Sequence, residues 1–375
     1  MSAPRDSRAD AISASEASRL ILESVPRMAD ESVPLTAALG SVLAASIHAS
    51  VTLPPWANAS MDGYAVRATD LARAPTRLRV IGTVPAGSLP HRALARGEAM
   101  KVMTGAPVPE GADSVIRIED TDQGAESVEI RALRDVGKNI RPRGEDYREG
   151  ALLAEVGDTV TPARLGVLAS AGVASVRVYR RPLVAILASG DELVPLDRFD
   201  AVRGGTRIVS SSSYALAALA KYAGGVPHDL GIAADSREAL RAKIHLAQSC
   251  DLLVTTGGVS VGDHDYTRAV LEDMGAAIRF TRVRIRPGGP LSFGILGDHP
   301  WIGLPGNPVS AMVTFELFVR PALRKMGGHS LLFPSAIPVT LAEPVTVTGD
   351  LTHFLRVVVT VDGDGYRATL TGTQS

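Results

Sequence analysis

The chain of 375 residues has almost no cysteine: Cys250 stands alone, which excludes an intrachain disulfide. With histidines scattered at no ligand spacing, it also argues against a structural zinc site. Charge of either sign is not in excess, since 39 basic residues face 40 acidic ones for a net −1. Bulk attraction to nucleic acid or to an anionic membrane is therefore not expected, and any bound anion must be held by local geometry. No window approaches the roughly 18 apolar residues of a membrane span, and "MSAPRDSRAD" has no apolar stretch behind it. The reducing cytoplasm is the expected compartment.

What is present is a folded composition, 45% hydrophobic and 21% charged, long enough for about two to four domains. "AISASEASRLILESVPRM" spaces its apolar residues helically, and "LTAALGSVLAASIHASVTLP" reads as a short helix followed by a strand. From about Ala57 to Ala174, short β-type runs such as "LRVIGTV" and "DSVIRIED" are broken by glycine and proline. One helix, "TPARLGVLASAG", interrupts them. After Arg181, strand and helix patterns alternate, as in a parallel or mixed sheet covered on both faces. Beyond Gly328 the β alternation resumes in a small domain that looks incomplete. The expected fold class is α/β plus β-rich domains: an N-terminal and linker region over 8–177 with a small β-domain at about 57–145, a Rossmann-like mixed-sheet domain over 178–328, and a C-terminal β-domain over 332–375.

Four strand candidates run into unusual loops, "ASGDEL", "TTGGVSVGD", "RPGGP" and "GLPGNP". In a parallel sheet such loops gather beyond the carboxyl ends of the strands, where ligands bind. The second admits three readings. "GVSVG" fits a hydrolase nucleophile elbow with Ser260 as nucleophile, but "GDHD" intervenes before any helix and no HGGG-type oxyanion segment is present. Ser260 is then a small loop residue donating a hydrogen bond. Gly257 and Gly258 fit an anion cradle of backbone N–H groups, and a plain turn with an aspartate cap fits as well. Repetition favours the cradle, since Asp191 and Glu192, Asn307, and Arg282, Arg284 and Arg286 occupy the neighbouring loops. Carboxylates and an anion share a cleft when a divalent ion such as Mg²⁺ bridges them. Upstream, "NASMDGYAVR" and "NIRPRGEDYREG" carry the same mixture of glycine and charge.

Taken in order, "NASMDGYAV", "MTGAPVPEGADSVIRIED", "NIRPRGEDYREG", "ASGDELV", "TTGGVSVGDHDYT", "RPGGPLSFG" and "GLPGNPVSA" closely resemble the molybdopterin molybdenumtransferase family of the MoeA type, related to the gephyrin E domain. The resemblance covers nearly the whole chain. It implies an elongated homodimer that takes adenylylated molybdopterin and molybdate and cleaves the adenylyl phosphoanhydride with divalent metal. Molybdenum is then inserted at the dithiolene, and AMP is released. Other implied partners are the adenylyltransferase that makes the substrate and the apoproteins that receive the cofactor. The family's acidic positions fall on Asp62, Asp146, Glu192, Asp235 and Asp265, with Glu192, Asp235 and Asp265 as the implied Mg²⁺ ligands. Thr104 and Arg141 also match, and the oxyanion-binding positions fall on Arg286, Ser310 and Arg356. In a dimer the small β-domain of one subunit would complete the cleft of the other.

Three departures stand out. "RPGGP" replaces the frequent "KPGKP", so Arg286 keeps a cation and Gly289 removes one. "NASMDG" replaces "NSAMDG" but retains a hydroxyl at Ser60. "TGTQS" ends within a motif that usually continues. These motivate a rival of another class, a non-catalytic molybdopterin-binding or scaffold homologue.

Overall fold

The computed structural model describes residues 11–258, 266–347 and 349–372. The first helix, α1 (Ala14–Ser24), starts where Ser13 accepts the Glu16 N–H at 3.1 Å, satisfying one of the donors a helix start leaves open. Ala17 and Ile21, four residues apart, bury one stripe of it.

The chain divides into two compact units, and the smaller comprises Ser46–Glu155 and Ala163–Ala174. Its main sheet has five strands, β1 (Gly63–Val66), β2 (Thr76–Val84), β3 (Glu98–Val102), β4 (Ser114–Arg117) and β5 (Ser127–Ile130), in the order β4-β1-β3-β2-β5. Alternation feeds two cores. Ala65, Met100, Val102 and Val115 enter one, and Tyr64, Val66, Ala99 and Ile116 enter the other. Helix α2 (Pro162–Ser170) contributes its later residues to this unit.

Two buried carboxylates pin the small sheet. Glu98 accepts from Arg92 at 2.7 and 2.9 Å, from the Ala95 N–H at 3.1 Å, and from Arg79. Asp135 accepts a forked pair from Arg117 at 2.7 and 2.9 Å. Arg92 chiefly holds Glu98 down to about 2, and Arg117 holds Asp135 down to about 2. Both values lie below those of the unfolded chain. These carboxylates therefore stabilise the unit fully above about pH 4.5 and lose that contribution as pH falls toward 2. Thermal melting at pH 5 and at pH 2.5 should show the loss, and Glu98→Gln should flatten the difference. Equal melting at both pH values would remove this account.

The larger unit comprises Met1–Ala45, Val156–Pro162 and Ser175–Ser375. Its six-stranded sheet contains β6 (Leu183–Ser189), β7 (Val226–Ala233), β8 (Leu252–Thr256), β9 (Ala277–Phe280), β10 (Ser292–Leu296) and β11 (His299–Leu304), in the order β7-β6-β8-β11-β10-β9. The first four are mutually parallel, and β10 runs antiparallel to both β11 and β9. The period-2 pattern sorts two cores. Val184, Ile186, Leu252, Val254 and Ile302 face α1, α3 (Ser211–Tyr222) and α7 (Arg320–Met326). Ala185, Leu187, Leu253 and Trp301 face α4 (Arg237–Leu246) and α5 (Tyr266–Asp273). Strands covered on both sides read as continuous apolar runs, as "PLVAILAS" and "DLLV" do.

The chain leaves β6 through α3 to β7 on one side, then passes through α4 to β8 on the other side of β6. The carboxyl ends of β6 and β8 thus flank a topological switch point, the position at which open sheets of this kind form their ligand crevice. After α6 (Pro308–Thr314) and α7, a three-stranded sheet forms from β12 (Thr340–Leu341), β13 (Val357–Asp362) and β14 (Gly365–Leu370), in the order β12-β14-β13. Among the described residues, no helix is long and apolar enough to cross a membrane.

Candidate functional site

Three of the four singled-out loops leave the carboxyl edge of the six-stranded sheet. The β6 strand ends at Ser189 and turns through Gly190, Asp191 and Glu192. The β8 strand ends in the turn Gly257–Gly258, and β11 leads through Pro305 and Gly306 to α6. The loops are tightly packed. Thr256 donates to the Pro305 carbonyl at 3.1 Å, and a β-carbon on Gly306 would lie 3.5 Å from the α-carbon of Gly257.

Gly257 and Gly258 both have left-handed backbones, at φ +85° and +64°. A β-carbon on Gly257 would come within 2.5 Å of the Ser189 carbonyl oxygen, and one on Gly258 within 2.5 Å of Thr267 Oγ1. Glycine is demanded twice over, by φ and by space. The turn is bare backbone at the carboxyl end of β8, which suits the anion-cradle reading. Ser260 and Asp265 lie outside the described residues, so the nucleophile-elbow and metal-ligand expectations for them find no geometry here.

The acids of the β6 and β7 loops meet. The Asp191 N–H donates to Asp235 Oδ2 at 3.4 Å, and the Asp235 N–H donates to Asp191 Oδ1 at 3.1 Å. This reciprocal pair joins two strand-end loops 44 residues apart in the chain. The exposed Glu192 folds its carboxylate back toward Gly190, where a β-carbon would be 2.6 Å from Oε2. Among the described residues, no three His, Cys, Asp or Glu cluster as a metal site. The meeting of Asp191 with Asp235 offers two carboxylates, a donor set that fits Mg²⁺ completed by substrate oxygens. Asp191, flagged in the sequence only as a local acid, emerges as the partner of Asp235.

"RPGGP" behaves differently from the other three loops. Ile285–Arg286 is a two-residue strand outside the main sheet, paired in parallel with Thr352–His353. Arg286 lines a cleft of about 620 Å³ together with Arg282, Arg284, Gly289 and Asp350. Arg284 and Arg286 are exposed there, while Val283 and Ile285 point into the core. The loop still reaches α6: a β-carbon on Gly288 would lie 3.7 Å from the Ser310 carbonyl oxygen. Ser310 itself sits in the first turn of α6, its N–H bonded to the Asn307 side chain at 3.2 Å. Arg356 stands just before β13 and accepts the Thr371 N–H on its carbonyl at 3.2 Å.

In the smaller unit, Gly63 lies opposite Val102, so the Asp62 turn faces the residues that follow β3. The Asp62 carboxylate accepts the Thr104 N–H at 2.7 Å and its hydroxyl at 2.8 Å. These two bonds, the backbone one first, hold Asp62 below the usual carboxylate range and therefore ionised. Arg141 forks between Glu145 at 2.5 Å and Asp146 at 3.0 Å. That ion triad is about half exposed and contributes little to stability.

Comparison with known proteins agrees with this layout. Residues 12–172 match the MoeA N-terminal region (domain I and II), and residues 185–325 match the probable molybdopterin binding domain. The molybdopterin molybdenumtransferase of Nostoc sp. is 39% identical over 84% of this chain and 74% of its own length. That of Staphylococcus aureus is 33% identical over 93% of this chain and 84% of its own. A crystal structure of the molybdopterin biosynthesis MoeA protein from Pyrococcus horikoshii superposes with a TM-score of 0.80 at 28% identity, covering 97% of this chain and 92% of that one. With its acidic strand-end loops, glycine cradle and both matching regions, the chain belongs to the molybdopterin molybdenumtransferase family of molybdenum cofactor biosynthesis.

Proposed function

We propose that the chain takes adenylylated molybdopterin and molybdate and yields molybdenum cofactor and AMP. The observation that carries this reading is the meeting of Asp191 and Asp235 beside the Gly257–Gly258 turn's neighbouring strand, at the switch point of a molybdopterin-binding sheet. The open glycine turn receives oxyanions on backbone N–H groups. Asp191 and Asp235 are the carboxylates that would hold Mg²⁺, with Glu192 and Asp265 as the further ligands that the family resemblance implies. Bound there, Mg²⁺ would neutralise charge on the phosphoanhydride. Arg286, with Arg284 beside it, supplies cationic donors for the tetrahedral oxyanion, and Ser310 and Arg356 are assigned to the same task. Asp62, kept ionised by Thr104, and Asp146, aimed by Arg141, act as positioning carboxylates.

The reading includes a homodimer working in the cytoplasm, with the adenylyltransferase upstream and molybdoenzyme apoproteins downstream. The test is incubation of the purified chain with adenylylated molybdopterin, molybdate and Mg²⁺. AMP and active cofactor should form, and omitting Mg²⁺ should stop both. Tight binding without AMP would instead identify a non-catalytic homologue, and absence of both binding and AMP would end the proposal.

A further inference from the structure

Ser189 is the last residue of β6, where the strand meets the crevice. It is only 6% exposed, and its hydroxyl has no hydrogen-bond partner among the described residues. The surrounding backbone is already committed: β6 pairs with β7 and β8, and the Gly190 N–H donates to the Ala233 carbonyl. The hydroxyl faces the glycine turn. A β-carbon on Gly258 would lie 2.9 Å from Ser189 Oγ, and one on Gly257 3.4 Å from it. Glycine at both positions keeps that approach to the hydroxyl free of a side chain.

A buried hydroxyl without a partner costs stability, and alanine would fill the same volume without that cost. Such a group, placed at the carboxyl end of a strand at the switch point, has a natural use in a bound ligand. We propose that Ser189 is a ligand-binding residue of the crevice, donating its Oγ–H to an oxygen of the anionic part of the substrate held by the glycine turn. This rests on the reading above, that the substrate is adenylylated molybdopterin. It adds a donor from β6 to the backbone donors of the β8 loop, so that the oxyanion is gripped from both strands flanking the switch point.

The test compares the full chain with its Ser189→Ala and Ser189→Cys variants, measuring affinity for adenylylated molybdopterin, the rate of AMP formation and thermal melting. Ser189→Ala should bind about tenfold more weakly. Its ligand-free melting temperature should be unchanged or higher, since an unpartnered polar atom has been removed. Ser189→Cys, keeping a weak donor, should fall between. A structural hydroxyl would give the opposite signature, with lower melting and affinity lost only in proportion. That result, or affinity within twofold of the parent, overturns the inference while leaving the function standing. Failure of the unaltered chain to bind the substrate overturns the proposed function and this inference with it.

Discussion

Asp235→Asn is expected to lower the rate of AMP formation about 100-fold, on the order of what one precisely aimed electrostatic group contributes to a reaction of this kind. Asparagine has the same shape and keeps an oxygen for the Asp191 N–H, so the loops should remain joined and melting should move by no more than about 2 °C. What is lost is one of two carboxylate charges at the crevice. Asp191→Asn should produce a similar loss, and the double variant should cost less than the product of the two, because groups acting as one unit are not additive. Initial rates over a Mg²⁺ series check this. A rate within threefold of the parent at limiting Mg²⁺ would remove the pair from the reaction.

Gly63→Ala is the substitution with the largest expected structural effect. Gly63 opens β1, between β3 and β4, and a β-carbon there would sit 2.0 Å from the Ile116 carbonyl oxygen of β4. The obstacle is backbone in a paired strand, so no side-chain rotation relieves it. Separating the two strands should destabilise the smaller unit by at least about 3 kcal/mol, a large share of a typical domain's stability. It should also displace Asp62 from Thr104, since Asp62 immediately precedes the shifted residue. Calorimetry should then show a transition moved down by more than about 8 °C. Melting within 1 °C of the parent would show that the strands part without cost.

These expectations depend on features that were unequally legible in the sequence. The strands β6, β8 and β11 could be read because burial on both faces leaves uninterrupted apolar runs. The turn after β8 could be read because two adjacent glycines follow an apolar strand run directly. The pairing of Asp191 with Asp235 could not, because it depends on two loops being brought together by the parallel pairing of β6 with β7. The placement of "RPGGP" was equally hidden. Its strand pairs with Thr352–His353, more than 60 residues later, a contact that no local pattern announces. The segment "LTAALGSVLAASIHASVTLP", read as a short helix and a strand, contains only a single turn of 3₁₀ helix at Leu35–Ala37 and a two-residue strand at Ile47–His48. Its apolar residues are drawn instead into pairings with distant segments, such as Leu43 with Val178. Ser189 carried no signal at all, since a serine shows neither burial nor an empty bonding position until its neighbours are in place.

The threading of the larger unit sets the order in which the protein can be made. Helix α1 leaves the ribosome well ahead of α7, although Ala17 and Ile21 are destined for the same core as Ala322 and Met326 of α7. Roughly 300 residues separate them, which at ordinary rates of synthesis is on the order of 15 to 60 s. The smaller unit, encoded almost wholly within that interval, can complete its sheet while α1 still has nothing to cover its apolar stripe. During translation the apolar stripe of α1 therefore waits uncovered until α7 has been made, and for that interval it is a surface a chaperone can bind.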